Sequence, residues 1–203
     1  MIPVIETAAP LLVATALSAY ALGSVPFGLV MARLFGLGDL RQVGSGNIGA
    51  TNVLRTGNRL AAFLTLVLDA GKGAIAVLVA RWLLAEDAAQ IAGVAAFLGH
   101  CYPIYLRFRG GKGVATFLGT LLALAWPVGM AACAIWAVTA GLFRISSLAA
   151  LVAAILSPVA AIVLGRPETA IFCIALAIVI LARHRTNIAR LMQGDEPRIG
   201  KKS

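Results

Sequence analysis

The sequence predicts an all-α integral membrane protein: a compact bundle of seven transmembrane helices, N-terminus outside and C-terminus cytoplasmic. Three observations point there. Of the 203 residues, 61% are hydrophobic and 12% charged, whereas soluble domains run at roughly 45–50% and about 25%. Several runs long enough to cross a bilayer carry no charge at all. The surplus of Lys and Arg, a formal net charge of +9, collects in the loops between those runs, as it does in cytoplasmic loops of membrane proteins. This balance excludes an ordinary soluble enzyme, a disordered regulator and a nucleic-acid module, so the basic charge does not call for DNA or RNA as partner.

The first span is read over residues 7–32, uncharged and with no positive segment ahead of it. It is therefore expected to be an uncleaved helix rather than a signal peptide. The second, 60–84, is apolar except for Asp69, Lys72 and Arg81, and the third runs over 88–106. The 30 uncharged residues 114–143 are too many for one crossing. A single helix would be about 45 Å long against a hydrocarbon core of about 30 Å. Near the middle lies Trp126-Pro127, an interfacial aromatic followed by a residue suited to a helix's first turn.

Charge decides the division. Split into 114–125 and 127–143, the run leaves fifteen of the 17 Lys and Arg inside and only Arg81 and Arg166 outside. Unsplit, the tally becomes nine and eight, against the positive-inside bias. The fourth and fifth spans are thus expected to be short, about 18 and 25 Å. The sixth and seventh follow over 145–165 and 169–182. The outer connections, 86–89, the Trp126 turn and 166–168, hold no polar cluster. Cys101, Cys133 and Cys173 sit in apolar runs without metal-ligand spacing, so they read as small hydrophobes with no metal site or disulfide.

All the chemistry falls in inner loops, about 36–59, 107–113, 143–147 and 183–203, of a single domain spanning 1–203. The first loop packs Gly44, Ser45, Gly46, Asn47, Gly49, Thr51 and Asn52 together, with Arg55 three positions on. Glycines let successive N–H groups approach an anion, Ser, Thr and Asn add donors, and an Arg fork holds phosphate bidentately. A flexible turn is the bland alternative. The G-x-G-x-x-G spacing at Gly44, Gly46 and Gly49 has no βαβ unit around it and is read as accidental.

The second loop brings Arg107, Arg109 and Lys112 among Gly110, Gly111 and Gly113. It fails the Walker A pattern, yet Lys112 at a helix start remains a good phosphate ligand. Ser147 could cap the sixth helix or serve the site. His184 and Asn187 share a helical face at the end of the seventh. Asp69 and Lys72 can pair within the second helix, or mark a transport pathway. Such donors beside apolar helices describe a site for one or two phosphoryl groups on a molecule with a fatty chain.

The strings GSGNIGATN, GHCYPIYLRFRGGKGVAT and RHRTNIARL, with LDAGKG and SSLA, resemble the signature regions of the bacterial acyl-phosphate:glycerol-3-phosphate acyltransferases. The likeness runs from about residue 23 to 194. It implies a seven-helix fold of the bacterial inner membrane with its active site at the cytoplasmic face. It also implies transfer of a fatty acyl group from acyl phosphate to the sn-1 hydroxyl of glycerol 3-phosphate. The products are lysophosphatidate and inorganic phosphate.

By motif, Ser45, Arg55, Lys112, His184 and Asn187 would hold glycerol 3-phosphate as catalytic residues. Asn47, Gly49, Thr51, Asn52 and Ser147 would cradle the donor phosphate, with Gly111 beside them. An acyl phosphate is already activated, so neither cofactor, metal nor covalent intermediate is expected, and no G-x-S-x-G elbow occurs. The partners implied are the two substrates, membrane lipid and the enzyme that makes acyl phosphate. Either His184 or the donor's own phosphate could accept the hydroxyl proton. The main alternative is a membrane transporter of phosphate esters, for which Asp69 and Lys72 speak. No role is assigned to His100.

Overall fold

The computed structural model describes residues 4–200, so the last three residues of the expected inner segment 183–203 lie outside it. Among the described residues the chain forms ten α-helices and two 3₁₀ turns, with no strand. The expected first span is broken. Helix α1 (Ala9–Ser24) ends before Pro26, and α2 (Phe27–Leu34) begins after it. Proline cannot donate to the carbonyl four residues back, and it restricts the residue before it. The carbonyls released by the break find side chains: Tyr105 donates to Ser24 O, and Lys72 Nζ donates to Val25 O at 2.8 Å.

Helix α3 (Ala50–Arg55) is a short piece within the first loop, and α4 (Arg59–Leu83) is the expected second span. Helix α5 (Glu86–Cys101) starts at Glu86, so the link from α4 is shorter than the expected 86–89 connection. Asp87 accepts from Thr7 N at 2.9 Å and Thr7 Oγ1 at 2.8 Å, fastening the N-terminal segment to α5.

The run 114–143 divides as the charges require, into α6 (Val114–Leu124) and α7 (Trp126–Phe143). The two pack on each other, so the chain reverses at Ala125. Arg81 closes the open end of α6 by donating to Ala123 O at 2.6 Å and Leu124 O at 2.8 Å, where a helix C-terminus leaves carbonyls unpaired. Helices α8 (Ser146–Val163) and α9 (Pro167–Arg183) complete the apolar set. A sharp bend of 64° then leads into α10 (Arg185–Gln193).

Five stretches are long and apolar enough to cross a membrane: Ala9–Leu34, Arg59–Leu83, Glu86–Leu106, Trp126–Phe143 and Ser146–Val163. The bent pair of α9 and α10 adds a sixth when the two are counted as one span, and α6 is a shorter apolar helix. Leu17, Trp82, Leu142, Val163 and Ile178 are exposed on the outside of the bundle, as lipid-facing side chains must be. Inside, Phe97, Phe117, Leu121, Leu176 and Ile180 form a dry core between α5, α6 and α9. Small residues set the closest crossings, as in lipid, where packing rather than water exclusion joins helices. A Cβ at Gly23 would collide with the Ala96 backbone across α1 and α5, and one at Gly119 with the Ala70 carbonyl across α4 and α6.

Candidate functional site

At one end of the bundle the loops enclose a cavity of about 590 Å³ that runs between α4, α6 and α7. Its mouth is polar and its depth apolar. Ser45, Asn47, Gly49, Thr51, Asn52 and Arg55 line it from the first loop and α3, Lys112 from the second loop, and Ser147, His184 and Asn187 from the remaining motifs. Phe63, Leu66, Ala70, Leu118, Leu122 and Trp136 form the apolar part. Thus ten of the eleven residues singled out in the sequence face one space. Gly111 does not line it. It sits behind Lys112 against His100, where a Cβ would collide with the imidazole Nε2.

The first loop turns through Gly44 (φ 50°) and Gly46 (φ 67°), a backbone region that side chains rarely enter. Asn52 holds the turn together. Its amide nitrogen donates to Leu40 O at 2.8 Å, while its oxygen accepts from Ser45 N at 3.2 Å and Arg55 Nη1 at 3.2 Å. Asn52 is buried and organises its neighbours, whereas the Asn47 side chain carries no protein hydrogen bond among the described residues.

The loops are tied to one another. Arg41 donates to Arg109 O at 3.3 Å, Thr51 and Ser146 share a hydroxyl contact at 3.1 Å, and Arg183 donates to Gly110 O at 2.7 Å and Gly111 O at 3.1 Å. Lys112 Nζ donates to Asn187 Oδ1. The ammonium only donates and the carboxylate beyond only accepts, so the Asn187 amide has one possible orientation.

That carboxylate is Glu196, which the sequence reading did not single out. It accepts from Ser147 Oγ at 2.7 Å, Asn187 Nδ2 at 2.5 Å and Arg190 Nε at 2.7 Å. Burial pushes its carboxyl up, but those hydrogen bonds and the Arg190 charge outweigh it and hold it below the usual carboxylate range. Ser147 therefore does not cap α8; it fixes the tail. An acid in a basic tail just past a motif was the only signal in the chain. Burial brings the Lys112 ammonium down to about 8, with Glu196 opposing and Arg190, Arg183 and Arg55 reinforcing the fall.

His184, 2% exposed, places Nδ1 2.8 Å from Ile180 O. A carbonyl only accepts, so Nδ1 carries the proton and Nε2 is left as an acceptor in the neutral ring. Deeper in, Lys72 Nζ lies 2.8 Å from both Asp69 Oδ1 and His100 Nδ1. Asp69 and Lys72 thus do pair within α4, but in a three-residue cluster rather than alone.

This arrangement can neutralise two phosphoryl groups and seat an apolar chain. Comparison with known proteins agrees. The family described as "Glycerol-3-phosphate acyltransferase" matches residues 13–194. The glycerol-3-phosphate acyltransferase of Jannaschia sp. (strain CCS1) is 75% identical over 203 residues, all of both chains. That of Dinoroseobacter shibae is 62% identical over 200 residues, 98% of each chain. Among solved structures, the glycerol 3-phosphate form of PlsY (YgiH), an integral membrane glycerol 3-phosphate acyltransferase, superposes with a TM-score of 0.87 at 40% identity. The match covers 93% of this chain and 96% of that one. The lysophosphatidic acid form gives 0.84 at 36% identity, over 93% and 95%.

Proposed function

Since the chain belongs to the glycerol-3-phosphate acyltransferase family, and is an acyltransferase of the membrane, we propose that its acyl donor is an acyl phosphate. The acceptor is glycerol 3-phosphate, the ligand of the PlsY structure above. The products are 1-acyl-glycerol 3-phosphate and inorganic phosphate. The observation that carries the reading is the cavity itself, in which two sets of phosphate donors meet at the head of one apolar groove. A transporter would want its polar groups at the bilayer midplane between paired, broken helices related by a repeat, and here they gather at one end.

Lys112, Arg55, Ser45, Asn187 and His184 receive glycerol 3-phosphate, with Lys112 and Arg55 offsetting its charge. Asn47, Gly49 and Thr51 receive the donor phosphate, Asn52 holding their loop in shape, Ser147 tying the Glu196 tail beside them and Gly111 backing Lys112. Neutralising two anions that repel and aligning hydroxyl with carbonyl are the main tasks, because the mixed anhydride is already activated. His184 Nε2 accepts the hydroxyl hydrogen bond and orients the nucleophile. The proton passes to the departing phosphate, and no covalent enzyme intermediate forms. His184→Ala should chiefly raise KM for glycerol 3-phosphate; a collapse of kcat at unchanged KM, rescued by imidazole, would make His184 the base.

We assign α6 and α9 as crossings beside the five long stretches, giving seven spans with the N-terminus outside and the motif end in the cytoplasm of the bacterial inner membrane. There it receives acyl phosphate from the enzyme that makes it. The reading is tested by phosphate release from palmitoyl phosphate by purified protein. Release should require glycerol 3-phosphate, yield the lysophospholipid, and vanish in Lys112→Ala. Acylation seen only with acyl-CoA or acyl carrier protein would overturn the donor.

A further inference from the structure

The cluster under the second loop has no place in the assignments above, although Asp69 and His100 both line the cavity. Lys72 reaches three acceptors at 2.8 Å each: Val25 O, Asp69 Oδ1 and His100 Nδ1. An ammonium has three protons, and these contacts take all of them. The hydrogen between Lys72 Nζ and His100 Nδ1 therefore belongs to the lysine, and Nδ1 is the acceptor. The neutral ring must then carry its proton on Nε2. Among the described residues Nε2 meets no hydrogen-bond partner, and His100, 6% exposed, lines the cavity with its Nε2 edge beside Gly111. That donor is left free for a ligand.

The two histidines of the cavity are thus fixed in opposite forms, His184 with an acceptor and His100 with a donor. Position says what the donor is for. His100 lies between Gly111, which precedes Lys112 of the polar mouth, and Asp69, which precedes Ala70 of the apolar wall. An acyl phosphate laid along the cavity, phosphate at the mouth and chain in the groove, brings its carbonyl to that boundary. The charges of Asp69 and Lys72 cancel within the cluster. What remains is one directed N–H, suited to a carbonyl oxygen rather than to a phosphate dianion.

We propose that His100 is a catalytic residue whose Nε2–H donates to the acyl carbonyl oxygen and strengthens as that oxygen becomes an oxyanion, with Lys72 and Asp69 as its positioning residues. The glycerol hydroxyl oxygen bonds to the carbonyl carbon while the carbonyl π pair moves onto oxygen. That pair then re-forms the carbonyl, the bond from the carbonyl carbon to the bridging oxygen breaks, and phosphate leaves with the electrons of the broken bond and takes up the hydroxyl proton. His100 keeps its proton throughout. Such a donor acts where charge develops and affects the rate more than ground-state binding.

The inference rests on acyl phosphate being the donor, and the test separates the two. The probe is a palmitoyl phosphate analogue with CH₂ in place of the bridging oxygen and ¹³C at the carbonyl, read by infrared difference spectroscopy alongside turnover. In the unaltered protein the carbonyl band should move to lower frequency on binding. In His100→Ala it should return towards the free value, and kcat should fall about 100- to 1,000-fold, the range for loss of one oxyanion donor. KM for glycerol 3-phosphate should stay within about threefold, since that loss falls on the transition state. His100→Gln, whose amide N–H can reach the same place, should recover part of both signals. A band that does not move in the unaltered protein overturns the proposal without any variant, as does a folded His100→Ala with near-normal kcat or a defect confined to KM. Failure of the unaltered protein to use palmitoyl phosphate would instead overturn the donor.

Discussion

Replacing Glu196 by alanine should loosen the site and the tail together. The carboxylate collects Ser147 Oγ, Asn187 Nδ2 and Arg190 Nε within 2.7 Å while only 8% exposed. Hydrogen bonds to a charged group contribute about 1.5–3 kcal/mol each. They are not additive, and the Arg190 side chain, 32% exposed, regains water when its partner goes. A net loss of about 3–4 kcal/mol follows, a large share of the roughly 5–15 kcal/mol that holds a folded domain. Asn187 would also lose its second anchor, and with it the fixed acceptor for Lys112. KM for glycerol 3-phosphate should rise about tenfold, equivalent to about 1.4 kcal/mol. Denaturant unfolding in detergent gives the first quantity, and steady-state kinetics on the folded fraction the second. Glu196→Gln keeps an acceptor for Ser147 and Asn187 but faces Arg190 with an amide, so it should lie between. If Glu196→Ala unfolds at the original midpoint with unchanged KM, the tail does not support the site.

Three further outcomes are expected. With the Lys112 ammonium brought down to about 8, kcat/KM for glycerol 3-phosphate should fall as pH rises through that value, because the cation is lost. Lys112→Arg should remove this limb of the profile even if it is slower overall. Arg81→Ala, which uncovers Ala123 O and Leu124 O, should cost about 2 kcal/mol of stability while leaving KM unchanged; equal unfolding midpoints would show that α6 needs no such closure. Gly111→Ala places a methyl where His100 Nε2 lies and should reduce kcat at least about 100-fold, since one oxyanion donor is displaced. Normal turnover in that variant would mean that the loop moves aside freely.

The motif loops were legible because the chemistry there needs unusual residues. Glycines, hydroxyls, amides and a lysine recur in short stretches of an otherwise apolar chain, and ten of the eleven residues named line one cavity. The reversal at Ala125 was legible from charge alone, since basic residues on both sides of 114–143 had to share a face. The break at Pro26 was not. Apolarity runs through it, and what makes the break tolerable is a lysine 46 positions away in the chain, Lys72, meeting the freed Val25 carbonyl. Glu196 was missed for a related reason: nothing local distinguishes an acid in a charged tail until the tail folds back over α8 and α10. Asp69 and Lys72 announced a pair by spacing, but the third member, His100, comes from another helix.

Direct transfer between two substrates held at once is the claim on which the account depends, and initial-velocity kinetics tests it most directly. Palmitoyl phosphate and glycerol 3-phosphate should be varied against each other, with exchange of labelled phosphate into palmitoyl phosphate followed in the absence of acceptor. Intersecting reciprocal plots and no exchange are predicted. Parallel plots with exchange before acceptor is added would reveal an acyl-enzyme and contradict a cavity built to hold both phosphates together.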